Sequence, residues 1–371
     1  MFLNFMEAIT ALGPDGAFRI ANAARPPARY LFATILPEMP KPSYYVDSGT
    51  MTVRPTMAGL VGMDSPYPPG GAVEISTFLE QSAKLGVDVT LHEKTLRTIQ
   101  EMLTQIMMRG GNTKEALASE ALNFLNKVVI QALMDNAEWL RGQALVNGEI
   151  DWTFNGINLA VDYGVPTANL LTNRTSTAAY DSSASEFWND WRTAQRLLRY
   201  NVRAAIAHPD TINAIVNNDA NSAEVLSQTG ASGGFTIRKY KTINSLNVPS
   251  GDARDVVTLI PYGDEGEILD PTTPGRTISV PFMPTGKILV IGNNNASGYR
   301  VGQGSTDDPT DSLALGYTHL APTVEGGTPG RWARLFTPEG QPWQLRGQGA
   351  ENVLPVLENP EKVAVMSSNI S

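Results

Sequence analysis

The chain has 371 residues, of which 42% are hydrophobic and 18% charged, a globular composition with length enough for a buried core and two or three lobes. The net charge is −9 and Lys and Arg form no cluster, which argues against a protein that grips duplex DNA through its phosphates. The sequence has no cysteine, which excludes disulfides and thiolate metal sites, and it has no apolar run of the ~20 residues that span a bilayer.

We expect no secretion signal at the N-terminus. Residues 1–12 lack a basic region and a small-residue cleavage site, so we expect synthesis in the cytoplasm. The low charged fraction suits a protein whose surface is largely covered by partners, because permanent interfaces are poor in Lys and Glu. A loop-rich monomer has the same composition and stays an alternative.

The first 46 residues predict a short helix followed by an arm. Phe2 and Phe5 belong to an apolar set at helical spacing that ends at the turn signal of residues 13–16. From Ala17 to Tyr45 the chain is irregular and contains five prolines. We expect an extended arm without a core of its own, and a poorly packed terminus is the alternative.

Residues 45–93 predict a long β-hairpin. One strand begins near Tyr45, returning strands lie in residues 73–76 and 87–91, and Tyr67 and Pro68 lie in a turn-rich tip. A two-stranded ribbon is marginally stable in water, so we expect the hairpin to lie on another surface.

Helical patterns dominate the next fifty residues. A first helix covers residues 96–107, and Asn112 with Glu115 has the spacing of a capping box that opens a second helix. Apolar residues then hold one face as far as the stop at residues 147–148, which predicts a single helix about 50 Å long.

The rest of the chain predicts short strands and helices in a mixed arrangement. The predicted strands lie within residues 152–165, 203–207, 256–261, 288–291, 343–346, 353–357 and 363–366, the helices are 187–198 and 209–216, and 217–234 is an exposed polar loop.

The chain shows no convincing catalytic motif. Residues 230–234 satisfy the G-x-S-x-G pattern around Ser232, but that motif needs a buried strand before the serine and a helix after it. Here the residues after it, from Phe235, predict a strand, so we expect a glycine loop.

Metal sites have equally little support. The remaining candidates are His92, His208, His319, the acidic and amide stretch 217–221 and the acidic stretch 307–311. The histidines lack zinc-ligand spacing, residues 217–221 lack the glycine of a calcium loop, and a solvated turn is the favoured interpretation of 307–311. We therefore expect no catalytic residue, no metal and no cofactor; an enzyme with a deep polar pocket is the alternative.

The collinear order of arm, hairpin, long helix, mixed lobe and returning tail resembles the major capsid proteins of tailed bacteriophages. The stretches that carry the resemblance are residues 136–145, 155–165, 191–210, 283–293 and 335–367. The chain is most similar to the phage lambda capsid protein branch of this family.

The resemblance implies an α+β fold of the HK-97 type, with five parts along the chain. These are an N-terminal arm (1–46), an extended loop (47–95), a peripheral domain with a spine helix (96–165), an axial domain (166–340) and C-terminal strands that return to the peripheral domain (341–371).

The resemblance also implies the function and partners. The chain is expected to form hexamers and pentamers of itself, and from them an icosahedral virion shell that encloses double-stranded DNA without reading its sequence. Separate scaffolding, portal and decoration proteins are possible partners, and no membrane is involved. An encapsulin-like compartment of the same fold is the alternative. The residues expected to make assembly contacts are Phe2, Phe5, Tyr45, Tyr67, Pro68, Trp139 and Arg141.

Overall fold

Two sheets, of five and seven strands, carry most of the architecture. The computed structural model describes residues 16–53, 73–108, 123–154, 157–221, 223–229, 234–243, 246–249, 256–269, 277–293, 314–337 and 344–370.

The helices in these residues are α1 Gly16–Ala23, α2 Phe32–Ile35, α3 Glu93–Met108, α4 Gln131–Val146, α5 Phe187–Leu197 and α6 Pro209–Asn217. The strands are β1 Glu38–Pro40, β2 Tyr45–Val53, β3 Val73–Gln81, β4 Ala83–Leu91, β5 Glu149–Phe154, β6 Ile157–Asp162, β7 Val202–Ala207, β8 Ala223–Thr229, β9 Gly234–Ile243, β10 Leu246–Pro249, β11 Val256–Pro261, β12 Glu265–Leu269, β13 Thr277–Pro281, β14 Lys287–Gly292, β15 Gly316–Ala321, β16 Trp332–Phe336, β17 Leu345–Leu357 and β18 Val363–Ser367.

The five-stranded sheet is built around β17. This strand pairs with β4 along one edge and with β15 and β16 along the other, and β1 adds in parallel to β15. The sequence predicted two strands, within 343–346 and 353–357, because glycines and polar residues interrupt the apolar pattern between them. The prediction of two separate strands is wrong: the glycines continue the strand and make room for the helix above it. A Cβ on Gly347 or Gly349 would lie 2.8 or 2.6 Å from the side chain of Val129.

The long helix lies on this sheet. Residues 125–130 form a π-helical segment that continues directly into α4, so the described helix spans 123–146, about 36 Å. The predicted helix end at residues 147–148 is confirmed, and the first part of the prediction, residues 112–122, lies outside the described residues. The π-helical segment was not predicted.

The segment that follows the first fifteen residues belongs to the core. It forms α1, α2 and β1, and Tyr30, Phe32, Ile35 and Leu36 are fully buried with the apolar side of α4. The prediction that residues 17–45 are irregular and have no core of their own is wrong for residues 17–40. The apolar residues stand in runs too short to show a period, and their burial depends on partners distant in sequence.

The seven-stranded sheet has the order β10-β9-β11-β7-β14-β18, with β8 added to β9. Its central strands β7, β11 and β14 and its helices α5 and α6 confirm the predicted elements. Aromatic residues of α5, among them Phe187, Trp188 and Trp191, form a second core against this sheet. The predicted polar loop of 217–234 is wrong for Ala223–Thr229, which form β8 and pair with β9.

Three two-stranded ribbons of the described residues stand apart from these sheets, namely β2–β3, β5–β6 and β12–β13. Strand pairing also divides the C-terminal half differently from the predicted domain bounds. Strands β15 and β16 already lie in the sheet with β17, whereas β18 pairs with β14 in the other sheet. The domain bounds themselves stay predictions.

Candidate assembly surfaces

The ribbon β2–β3 leaves the body of the molecule at Tyr45. Each strand has nine residues, which is about 30 Å of ribbon, and among the described residues the two strands pair only with each other. At its base, the backbone N–H and the hydroxyl of Ser82 both donate to the Tyr44 carbonyl, at 3.1 and 3.0 Å. Val46 is buried, while the Tyr45 side chain is 60% exposed. Tyr45 is therefore free to contact a neighbouring molecule.

The ribbon β5–β6 has one apolar and one polar face. On the apolar face Ile150 is buried, Trp152 and Phe154 are half-buried, and Ile157 at the far end is 74% exposed. Trp139 of α4 is half-buried and packs edge-to-face on Trp152, with ring centroids 5.2 Å apart. Trp139 is thus mainly a support for this ribbon, with part of its surface left exposed.

Arg141 lies inside the molecule. Its side chain is fully buried and donates to three acceptors: Thr318 Oγ1 at 2.8 Å, Glu138 Oε2 at 3.0 Å and Glu38 Oε1 at 3.1 Å. The sequence predicted Arg141 as an assembly contact, but in this structure it has no exposed surface with which to reach another subunit. It joins the N-terminal segment, α4 and β15.

A second buried arginine extends this network. Arg331 pairs with Glu38 through both of its terminal nitrogens, and its Nε lies 2.8 Å from Glu351 Oε2. Three carboxylates and two guanidinium groups thus share one dry region between the sheet and the helix. We call these five residues, Glu38, Glu138, Arg141, Arg331 and Glu351, the buried ion cluster.

The cluster holds its carboxylates in unlike electrostatic environments. Burial raises the pKa of Glu351 to about 7, against the attraction of Arg331, and it also raises the pKa of Glu138. Burial acts in the same direction on Glu38, but the two arginines outweigh it and lower the pKa of that carboxyl. Glu138 accepts hydrogen bonds from the Phe32 N–H at 2.8 Å and the Tyr262 hydroxyl at 2.7 Å. The cluster is enclosed by protein, so its evident role is to fix the surrounding elements.

The remaining assembly residues predicted from the sequence, Phe2, Phe5, Tyr67 and Pro68, lie outside the described residues. Their roles stay predictions. Sequence reasoning overlooked Ile157, although an apolar residue directly after the Asn155-Gly156 turn is a signal for an exposed apolar tip.

Of the candidate catalytic and metal residues, Ser232 and the stretch 307–311 lie outside the described residues. His208 caps α6, accepting from the Asp210 N–H, which confirms the predicted helix entry, and buried His319 lies 2.8 Å from the Ser43 carbonyl. Gly234–Ile243 form β9, which confirms the strand predicted after Ser232. Among the described residues no group of three or more His, Asp or Glu is placed to hold a metal ion.

The helices of the described part are not long and apolar enough to cross a membrane.

Comparison with known proteins shows the fold. No family model matches the chain, and no curated protein matches its sequence. The crystal structure of the putative capsid protein of a prophage from E. coli CFT073 matches with a TM-score of 0.55 at 11% identity, covering 99% of this chain and 98% of that one. The fold is therefore the α+β fold of the HK-97 type, as predicted.

Two further structures align over most of their length with lower scores. A phage-related protein from Bordetella bronchiseptica RB50 has a TM-score of 0.44 at 10% identity, covering 92% of each chain. The SrpI encapsulin from Synechococcus elongatus PCC 7942 has a TM-score of 0.39 at 12% identity, covering 95% of this chain and 93% of that chain.

Proposed function

We propose that this chain is a major capsid protein, which assembles through hexamers and pentamers into an icosahedral shell around a phage genome. The observation that carries the proposal is the likeness to a putative prophage capsid protein, because it covers 99% of this chain and 98% of the other and leaves no large part of either unmatched. Its place is the virion, and its main partner is a second copy of itself.

The ribbon β2–β3 supports this proposal on physical grounds. A two-stranded ribbon about 30 Å long is not stable in water on its own packing, and within the described residues its strands have no third strand beside them. A neighbouring subunit can supply the missing surface, either by packing or by adding strands to the free edges. Many weak contacts of this kind, made together, hold a shell firmly.

The buried ion cluster supports the proposal in a different way. It joins α4 to strands β1 and β15 of the five-stranded sheet, which makes this part of the molecule rigid. A rigid body repeats its contacts at the same angle in each copy, and such repetition closes rings and shells.

Electron microscopy of the purified protein tests the proposal. We expect negative-stain images to show uniform icosahedral particles or rings of five and six copies, and light scattering to give a matching mass. A small monomer that persists at high concentration and in the presence of a co-expressed scaffolding protein overturns the proposal.

The contents of the particles separate the two shells that share this fold. A phage capsid encloses double-stranded DNA, which enters through a portal. Scaffolding and decoration proteins are separate partners of such a shell. An encapsulin-like compartment holds a cargo protein instead, so shells that copurify with a stoichiometric protein cargo and lack DNA favour that alternative.

A further inference from the structure

The polar face of ribbon β5–β6 carries an uncompensated negative charge. Glu149, Asp151 and Asp162 are all exposed, and Glu149 lies directly opposite Asp162 in the strand pairing. Like charges in directly opposite positions destabilise a strand pair. We call these three residues the acidic ribbon face.

No cation among the described residues neutralises this face. Lys287 lines a small cavity of about 240 Å³ together with Glu149, but its ammonium group donates to Asn147 Oδ1 at 2.7 Å and forms no ion pair with a described residue. Asp162 accepts a hydrogen bond from the Gly164 N–H at 2.8 Å, which orients the carboxylate without neutralising it. The acidic ribbon face therefore has no positively charged partner among the described residues.

A positive surface lies where α5 ends and β7 begins, so the expectation that Lys and Arg form no cluster is wrong for this segment. Arg196, Arg199 and Arg203 are exposed there, and none of the three forms an ion pair with a described residue. Tyr200 between them is 60% exposed. We call these four residues the basic turn.

The backbone of the basic turn is strained. Arg199 and Tyr200 have φ angles of 55° and 58°, in the left-handed region that residues other than glycine seldom adopt. The turn is held by hydrogen bonds from the Arg199 N–H to the Arg196 carbonyl at 3.0 Å and from the Tyr200 N–H to the Gln195 carbonyl at 2.6 Å. Strain of this kind persists where the surrounding structure requires it, and it is concentrated at functional sites. Here it presents an arginine and a tyrosine to solvent.

The two surfaces lie at opposite ends of one strand. Lys287, near the base of the acidic ribbon face, is the first residue of β14. Gly292 is the last, and the next residue, Asn293, donates its N–H to the Asn201 carbonyl in the basic turn at 2.9 Å. Six residues of strand separate the two ends by about 18 Å. The faces therefore cannot neutralise each other within one molecule.

We propose that the acidic ribbon face of one subunit docks on the basic turn of the next copy of the same chain, as a head-to-tail contact within a capsomer ring. The opposite charges of the two surfaces favour a second copy of the chain as the docking partner. Because the two surfaces lie at opposite ends of β14, the contact is heterologous, and a heterologous contact that is repeated by rotation closes into a ring. The exposed ring of Tyr200 supplies apolar area beside the arginines of the basic turn. This inference rests on the proposed self-assembly and names the surfaces that carry it.

Charge reversal tests the contact. The ribbon variant carries Glu149→Lys and Asp151→Lys, and the turn variant carries Arg196→Glu and Arg203→Glu. Each single-surface variant places like charges together, so we expect the protein concentration needed for assembly to rise by roughly tenfold or more at low salt. The variant with both surfaces reversed restores opposite charge and the original net charge, so we expect it to assemble like the unmodified protein.

Mixing the two single-surface variants gives a sharper result. Alternating copies of the ribbon variant and the turn variant are complementary at every contact, but alternation closes only rings with an even number of members. We expect the mixture to form six-membered rings and no five-membered rings, as counted by electron microscopy or native mass spectrometry.

The outcomes separate this inference from the proposed function. If the unmodified protein never assembles, both are overturned. If it assembles and the single-surface variants do so at the same concentration, the docking contact is overturned while the capsid assignment stands. Failure of the doubly reversed variant to assemble, with a circular dichroism spectrum like that of the unmodified protein, also counts against the contact.

A cross-link provides a test that does not depend on charge. The chain has no cysteine, so Asp151→Cys and Arg203→Cys introduce the two thiols of the protein. A short bis-maleimide added to assembled protein should join neighbouring copies into a covalent ladder on denaturing gels, and a protein with either cysteine alone should give no ladder. Monomers alone from the assembled double variant overturn the proposal.

Discussion

Replacing Arg141 by methionine should destabilise the fold without altering any exposed surface. The side chain is fully buried and donates to Thr318, Glu138 and Glu38 at 2.8–3.1 Å. Methionine keeps much of the arginine's volume. It leaves the buried carboxylate of Glu138 with its hydrogen bonds from Phe32 and Tyr262 but without the cation of its ion pair. Removal of one partner from a buried ion pair costs about 3–5 kcal/mol, so we expect a loss of that order in the free energy of unfolding.

Urea unfolding of dissociated subunits, followed by tryptophan fluorescence, measures this loss. The matched control is Arg97→Met on α3, where the arginine pairs with Glu93 at 2.7 Å but is mostly exposed. An exposed pair one helical turn apart contributes about 0.5 kcal/mol or less, so the control should change little. Equal effects of the two substitutions would refute the internal role of Arg141.

A second substitution checks that the cost is electrostatic. Adding Glu138→Gln to Arg141→Met removes the stranded charge and should recover much of the lost stability. Burial already raises the pKa of Glu138, and loss of Arg141 raises it further. An acid whose pKa is raised by folding destabilises the fold as pH rises, so the deficit of Arg141→Met should be smaller at pH 5 than at pH 8.

Three further substitutions test other parts of the structure. Burial raises the pKa of Glu351 to about 7 from an ordinary value of 4.5. As the pH rises through that range, the free energy of unfolding of the unmodified protein should therefore fall by about 3 kcal/mol relative to that of Glu351→Gln. Urea unfolding at several pH values measures this difference, and parallel pH profiles of the two proteins contradict it. Gly286→Ala should lower the melting temperature far more than Gly164→Ala, because both glycines have positive φ angles but only the first would bring a Cβ within 2.1 Å of the Ser368 carbonyl oxygen. Tyr45→Ser should change the free energy of unfolding by no more than about 0.5 kcal/mol, and it should weaken shell assembly as measured by light scattering. Unchanged assembly would show that Tyr45 is not an assembly contact.

The elements predicted most successfully are those with a local signal. The central strands β11 and β14 appear as short apolar runs, and α5 appears through its spacing of aromatic residues. The C-terminal end of α4 and the start of α6 carry Asn-Gly and Pro signals that act within a few residues. Such features depend on backbone propensity and on solvent, which are the same in any fold.

The sequence alone therefore determined that the chain has a globular core, a long helix and a projecting ribbon. The tertiary structure decided which short apolar segments are buried, and it moved residues 16–40 from a supposed arm into the core. It also turned Arg141 from a supposed surface contact into a member of a buried ion cluster. The physical reason is that burial and ion pairing depend on partners that are far apart along the chain, as Glu38, Arg141 and Arg331 are, and no local pattern records those partners.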